Sequence, residues 1–347
     1  MKIKTNVSNL PKYKIILQVE EAVHDFMKRN GYLKIDVPVL SPALIPESYL
    51  EIFSTQFNFL GKKENLYLTP SPEIFLKRLL AYGVGNCYYL GKAFRNSEPR
   101  SSWHLPEFTM IEFYKLGVDY LKMAEEVLRM LEFINTQVKS QKSKVKNTSE
   151  NSKVNNSLIY QNKKISFEKW EKMSVAKAFE KFAGITKEEL FNHELFLLKA
   201  KNKGYKVEGF SYEDIFSQIF VQEVESHLGK NGHPTLIYDY PKELASLAKL
   251  NKDGKTAQRC EFYINGLEVG GFCTELNDNQ EQEQRFIRES NKRKSLHMIN
   301  HAIDKGFIEA LKYNFGLCTG AGIGFERLAM FFAGVDSIDK LKLITIY

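Results

Sequence analysis

Three groups of residues in the 347-residue chain have types and spacings suited to chemistry. The first runs from Phe94 to Tyr114 and holds Arg95, Asn96, Glu98, His104, Phe108, Glu112 and Tyr114. Glu112 and Tyr114 are two apart, so on a strand they share a face. If a preceding strand ends in Arg95, the two strands and the polar loop between them make a hairpin that presents one guanidinium and several acceptors to a common cleft. Such a guanidinium can grip a phosphate through two donors, and a ring such as Phe108 can lie against a base. The second group is Glu261, Glu268 and Glu275, around the strand and tight turn EFYINGLE and the following VGGFCT. Carboxylates grouped in a sheet are costly to bury unless a metal or a cationic substrate compensates them. Magnesium nucleotide sites use one or two such carboxylates plus phosphate oxygens. In the third group, GAGIGFERLAMFF, Gly320, Gly322 and Gly324 alternate and so allow close approach, and the helix that follows aims its N-terminus and Arg327 at an anion. Its spacing is neither that of a dinucleotide-binding loop nor that of a P-loop. Taken singly, each group also fits an ordinary role: a solvated hairpin, surface ion pairs, or close strand–helix packing.

Bringing these groups together needs a sheet. CYYLGKAFR, EFTMIEFYKL, TLIYDY and CEFYINGLEVGGF have the aromatic and β-branched content of strands. LKIDVPVLSP alternates like a strand, and its Pro38 suits an edge or interface position. From Tyr13 to Asn30 the apolar residues Ile15, Ile16, Val19, Val23, Phe26 and Met27 recur at helical spacing, and Gly31 stops the run. Ser71 and Pro72 start a second helix from Glu73 to about Tyr82. Further helices are predicted over 119–137, 211–228, 279–304 and 324–333. Strands following strands with helices inserted between them predict an α+β fold, a mostly antiparallel or mixed sheet backed by helices, as one domain over 1–347. Residues 138–164 are rich in Lys, Ser and Asn and poor in apolar residues, which predicts a mobile insertion or linker.

Composition narrows the class. With 43% hydrophobic and 26% charged residues the chain can build an ample core. It has no apolar run of the roughly 20 residues that cross a bilayer, and its first residues are mixed and polar. A cytoplasmic protein without membrane insertion is expected. The net charge of +7 is modest, and much of it falls in 138–164. Cys87, Cys260, Cys273 and Cys318 form no CxxC pair and read as reduced thiols. His297 and His301, one turn apart on the predicted 279–304 helix, lack a third ligand and read as surface residues.

In chain order, these pieces resemble the signature motifs of class II aminoacyl-tRNA synthetases. Pro38 stands where motif 1 has its proline, Phe94 to Tyr114 resembles motif 2, and Gly320 to Arg327 resembles motif 3. Each motif alone is weak, but their joint occurrence spans nearly the whole chain. TPSPEIFLKRLL, HLPEFTMIEFY and EVGGFCTELND look like the lysyl branch. A lysyl-tRNA synthetase has an N-terminal OB-fold that reads the anticodon, whereas here the core helix begins near Tyr13 and leaves no room for one. YDYPKELASLAKL and RFIRESNKRKSLHMINHAIDKGFIEAL are similar to the stand-alone ligases that attach a lysine to elongation factor P.

The resemblance implies a class II catalytic core, usually a homodimer built through motif 1. It implies two-step chemistry: lysine or β-lysine is activated by ATP with Mg2+ as an aminoacyl-adenylate, then transferred to a lysine of elongation factor P rather than to tRNA. Arg95 and Arg327 would be the catalytic pair, on the α- and γ-phosphates. Asn96, Glu98 and His104 would contact ATP, Phe108 would stack on adenine, and Glu268, Val269 and Gly324 would line the nucleotide. Glu261 and Glu268 would bind magnesium. Ser71, Pro72 and Glu73 would meet the amino-acid end, and Glu112, Tyr114 and Glu275 would surround the side-chain ammonium, as a buried cation requires. Five positions depart from the family pattern: Ser97, Leu105, Gly271, Cys273 and Gly322. Of these, Gly322 is glycine as in the tRNA synthetases, where the ligases tend to alanine.

Overall fold

A computed structural model describes residues 2–96, 101–145, 156–313 and 315–346. Its main elements, in chain order, are helix α1 (Leu10–Arg29), strand β1 (Leu33–Lys34), the hairpin β2 (Phe53–Phe59) and β3 (Lys62–Leu68), and helix α2 (Glu73–Ala81). Strands β4 (Cys87–Phe94) and β5 (Glu107–Leu116), helix α3 (Tyr120–Val145), and strands β6 (Glu171–Ser174) and β7 (Thr235–Pro241) follow. The chain continues through β8 (Thr256–Ile264), β9 (Leu267–Thr274), α4 (Asn279–Ser295), β10 (Cys318–Gly324) and α5 (Phe325–Ala333).

Eight of these strands form one sheet in the order β6-β7-β8-β9-β10-β5-β4-β1. Its six central strands are antiparallel, and only the edge strands β6 and β1 pair in parallel. This is the α+β arrangement the pattern predicts.

The period of two divides labour between the faces. Ile111 and Phe113 of β5, Phe262 and Ile264 of β8, and Ala321 and Ile323 of β10 enter one large core with α1, α3 and α5. Their neighbours Glu112 and Tyr114, Arg259 and Glu261, and Gly320, Gly322 and Gly324 line a cleft. Helix α2 covers part of that second face, packing Leu76 and Leu80 on Cys87, Tyr89, Tyr114 and Cys318. Residues between β6 and β7 build a separate helical core around Phe179, Phe196, Phe216 and Phe220.

Several boundaries differ from the sequence reading. The predicted strand around Pro38 breaks into Leu33–Lys34 and Leu40–Ser41, because proline has no N–H to give a ladder. The predicted 211–228 helix is α-helical over Tyr212–Ile219 and then changes pitch through Phe220–Val224 and Glu225–His227. Helix α4 stops at Ser295, and His297 has a left-handed backbone at φ 56, so His297 and His301 do not share a helix face. The stretch 138–164 is ordered at both ends: α3 runs on to Val145, and Ser157–Tyr160 pairs with Lys163–Ser166. Between them, 146–155 lie outside the described residues.

Candidate active site

A cleft of about 390 Å³ opens on the polar face of the sheet. Its floor follows from register. Glu261 pairs with Gly271, Gly271 with Gly322, and Gly322 with Glu112, so two glycines lie side by side between two carboxylates. A Cβ on Gly322 would meet nothing within 4 Å, which leaves an open trench. One step along the strands, a Cβ on Gly320 would collide with Glu275 Oε1 and the Tyr114 ring, so this position tolerates only glycine.

At one end stand three carboxylates. Ser71 Oγ donates to Glu112 Oε2 at 2.7 Å and accepts from the Glu73 amide at 3.0 Å, fixing the start of α2 against β5. Tyr114 OH donates to the other Glu112 oxygen at 2.8 Å. Behind them, fully buried Lys77 pairs with both Glu73 and Glu275 at 2.5 Å. Burial, and then the neighbouring Glu73 carboxylate, push Glu112 up to about 8. Burial likewise pushes Glu275 up to about 7, against the pull of Lys77. Burial opposes the charge of Lys77, but Glu275 and Glu73 outweigh it and hold the ammonium protonated. Three carboxylates against one ammonium leave a pocket short of positive charge, which suits a second ammonium supplied by a ligand.

At the other end are the two predicted arginines. Arg95 lies over the Phe108 ring at 5.3 Å and forms no ion pair among the described residues, and its buried Nε has no hydrogen-bond partner. Arg327, at the first turn of α5, donates to Trp103 O at 3.1 Å and Glu268 O at 3.0 Å, and so joins the hairpin loop to β9. An unpaired guanidinium beside an aromatic face suits a nucleotide phosphate and base.

The two predicted metal carboxylates differ. Glu261 accepts from Arg259 at 2.7 Å, Tyr240 at 2.6 Å and Tyr263 at 2.7 Å. Burial alone would raise Glu261, but the Arg259 guanidinium and the two phenols outweigh it and hold the carboxyl below the usual range. Glu268 meets Arg327 at only 3.4 Å, and burial with the Glu261 charge pushes it up. Among the described residues no three His, Cys, Asp or Glu side chains converge on a metal position. One lightly engaged carboxylate beside a second that keeps its charge fits an ion shared with phosphate oxygens.

The cleft thus gathers Ser71, Glu73, Arg95, His104, Phe108, Glu112, Tyr114, Glu261, Glu268, Val269, Glu275, Gly324 and Arg327. Pro72 sits behind it as the residue before α2, and Asn96 turns its amide to Ile52 O at 3.3 Å instead of lining the cleft. Glu98 lies outside the described residues. Cys273 lines the cleft as a free thiol, and the other three cysteines are buried. Five residues escaped the sequence reading: Glu47, Tyr49, Lys77, Glu225 and Arg259. Lys77 had a legible signal, four residues after Glu73 on an otherwise apolar helix face. Glu225, pushed up to about 7 by burial and by Glu268 and Glu261, had none, because its neighbours lie far along the chain.

Comparison with known proteins places this geometry among relatives. A family model described as "tRNA synthetases class II (D, K and N)" matches residues 5–344. The elongation factor P–(R)-β-lysine ligase of Avibacterium paragallinarum is 32% identical over 344 residues, 97% of this chain and 94% of that protein. The ligase of the same name from Buchnera aphidicola is 31% identical over 92% of this chain and 90% of its own length. A lysine–tRNA ligase from Carboxydothermus hydrogenoformans is 32% identical over 94% of this chain but 63% of its own length.

Proposed function

Given that the chain belongs to the class II aminoacyl-tRNA synthetase family, we propose that it is an AMP-forming ligase that joins lysine or β-lysine to a lysine side chain of elongation factor P. Relatives bearing that ligase name match over nearly their whole length, which supports the acceptor as well as the chemistry. The observation that carries the amino-acid assignment is the trio of half-buried Glu73 and buried Glu112 and Glu275, held with a single internal cation in the cleft that Arg95 also lines.

In the first step the substrate carboxylate attacks the α-phosphorus of ATP and pyrophosphate leaves. Arg95 and Arg327 hold the phosphates and stabilise the charge that gathers on their oxygens. The attacking carboxylate is already ionised, so orientation and electrostatics suffice without a general base. Glu268 with Glu261 would hold a magnesium ion, which when bound neutralises phosphate charge. Phe108 gives adenine a flat surface, and the Gly271–Gly322 trench lets the reacting groups approach the backbone. In the second step an amine of the acceptor displaces AMP and forms an amide.

The test is the intact mass of elongation factor P after incubation with enzyme, ATP and each lysine isomer. A gain of one lysyl residue is expected; an unchanged mass with every isomer would overturn the reading. Gly322 favours a second reading, charging of tRNA with α-lysine, because the space an alanine methyl would fill is open. Gly322→Ala should fold normally and change the α- to β-lysine ratio in pyrophosphate exchange by about tenfold or more. An unchanged ratio would mean that position 322 does not face the amino acid.

A further inference from the structure

The acceptor in the second step is an ammonium, not a hydroxyl. A lysine with an ordinary pKa is free amine in roughly one molecule in 1,000 at pH 7.5, so a group must take its proton. This inference rests on the ligase reading above.

Most carboxylates of the cleft are already engaged. Glu73 and Glu275 hold Lys77, Glu112 is held by Ser71 and Tyr114, Glu261 by Arg259 and two phenols, and Glu268 faces Arg327. Glu47 is different. It lies on the loop before β2, lines the same cleft, and is half-buried.

Its backbone is fixed from behind. Buried Arg293 of α4 donates to Glu47 O at 2.7 Å and Leu50 O at 2.5 Å, pairs with Glu51 at 3.0 Å, and also bonds Ile299 O. The Ser48 amide donates to Glu289 at 2.8 Å. The buried guanidinium ties the Glu47–Glu51 loop to the segment around Ile299 and so fixes where the Glu47 carboxylate meets the cleft. There Tyr49 OH donates to it, and the charged groups that reach it are Glu73 of the amino-acid end, Arg95 of the phosphate end and Glu289. Tyr49 is 70% exposed at the rim of the cleft.

We propose that Glu47 is the general base of the transfer step. Its ionised carboxylate takes one proton from the acceptor ammonium. The freed amine attacks the carbonyl carbon of the aminoacyl-adenylate, a C–N bond forms, and the bond from that carbon to the phosphate oxygen breaks. The second nitrogen proton is lost as the tetrahedral intermediate collapses and leaves with AMP. Burial holds the Glu47 carboxyl above the usual range against the hydrogen bond from Tyr49, which brings a carboxylate closer to the strength of a working base.

The experiment separates the two steps in Glu47→Gln, which keeps the size of the side chain. Adenylate formation is read by lysine-dependent pyrophosphate exchange, and transfer by single-turnover mixing of enzyme-bound adenylate with elongation factor P. Transfer should fall about 100-fold or more, and by at least about 30-fold more than exchange does. The variant's transfer rate should keep climbing with pH where the wild type levels off. Equal losses in both steps, or transfer near the wild-type rate, would overturn the proposal. If the wild type forms adenylate but does not modify elongation factor P, the acceptor reading fails instead. The same ratio measured with a simple alkylamine as acceptor then still decides the role of Glu47.

Discussion

At Glu112 and Glu275 the pocket holds protons that the proposed cationic substrate would displace. Burial raises both carboxyls, to about 8 and about 7, so near neutrality the empty pocket is partly protonated. An entering ammonium favours the ionised forms. As pH falls from 8 to 6 those carboxylates protonate and compete with the ligand, so the dissociation constant for lysine should rise by about tenfold or more. Titration calorimetry in buffers of different ionisation heat should also record proton release on binding at pH 7; neither effect would appear if the ammonium bound elsewhere. Much of this site was readable one residue at a time. The spacing of Glu112 and Tyr114, the alternation of Gly320, Gly322 and Gly324, and the type of Arg95 already pointed to one face and one chemistry. Glu47 was not readable, because its partners Glu73, Arg95, Glu289 and Arg293 come together only in three dimensions.

Among the elements, α2 is the one that ties the proposed amino-acid end together. It carries Glu73 and Lys77 one turn apart, and Lys77 reaches across to Glu275 just beyond β9. Lys77→Met would leave two carboxylates without their buried cation, at a cost of about 3–5 kcal/mol when both stay ionised. Glu275 would then be raised further, so protonation relieves the loss at low pH and the penalty grows as pH rises through its folded pKa. Urea denaturation at pH 6 and pH 8.5 should show the larger deficit at pH 8.5, and a deficit independent of pH would deny Lys77 this role. Strands β4 and β5 were legible because both are rich in the aromatic and β-branched residues that strands favour. The β2–β3 arm was not, since β2 after Phe53 and the first four residues of β3 are exposed and no buried face there imposes a pattern. The tract 138–164 misled for the opposite reason: its composition is polar, yet tertiary packing holds Val138, Leu158 and Tyr160 in the main core.

For the whole molecule, no helix among the described residues is long and apolar enough to cross a membrane. Leu33 and Leu40 are exposed on either side of Pro38, where the family resemblance puts a dimer contact. A homodimer follows as a proposal. Sedimentation at micromolar concentration should give about twice the chain mass, and Leu33→Glu with Leu40→Glu should lower it toward one chain; a monomeric wild type would remove the proposal. The two-faced sheet has a consequence for how such a gene can change. In β5, adding or losing one residue would turn Glu112 and Tyr114 into the core and push Ile111 and Phe113 out into the cleft. Substitutions in these strands can be absorbed one at a time, but changes of length cannot. A scan of single-codon insertions should therefore find β5, β8 and β10 closed to them and the loops open, with the reading frame of the strands, more than any single side chain, as what lineages must hold fixed.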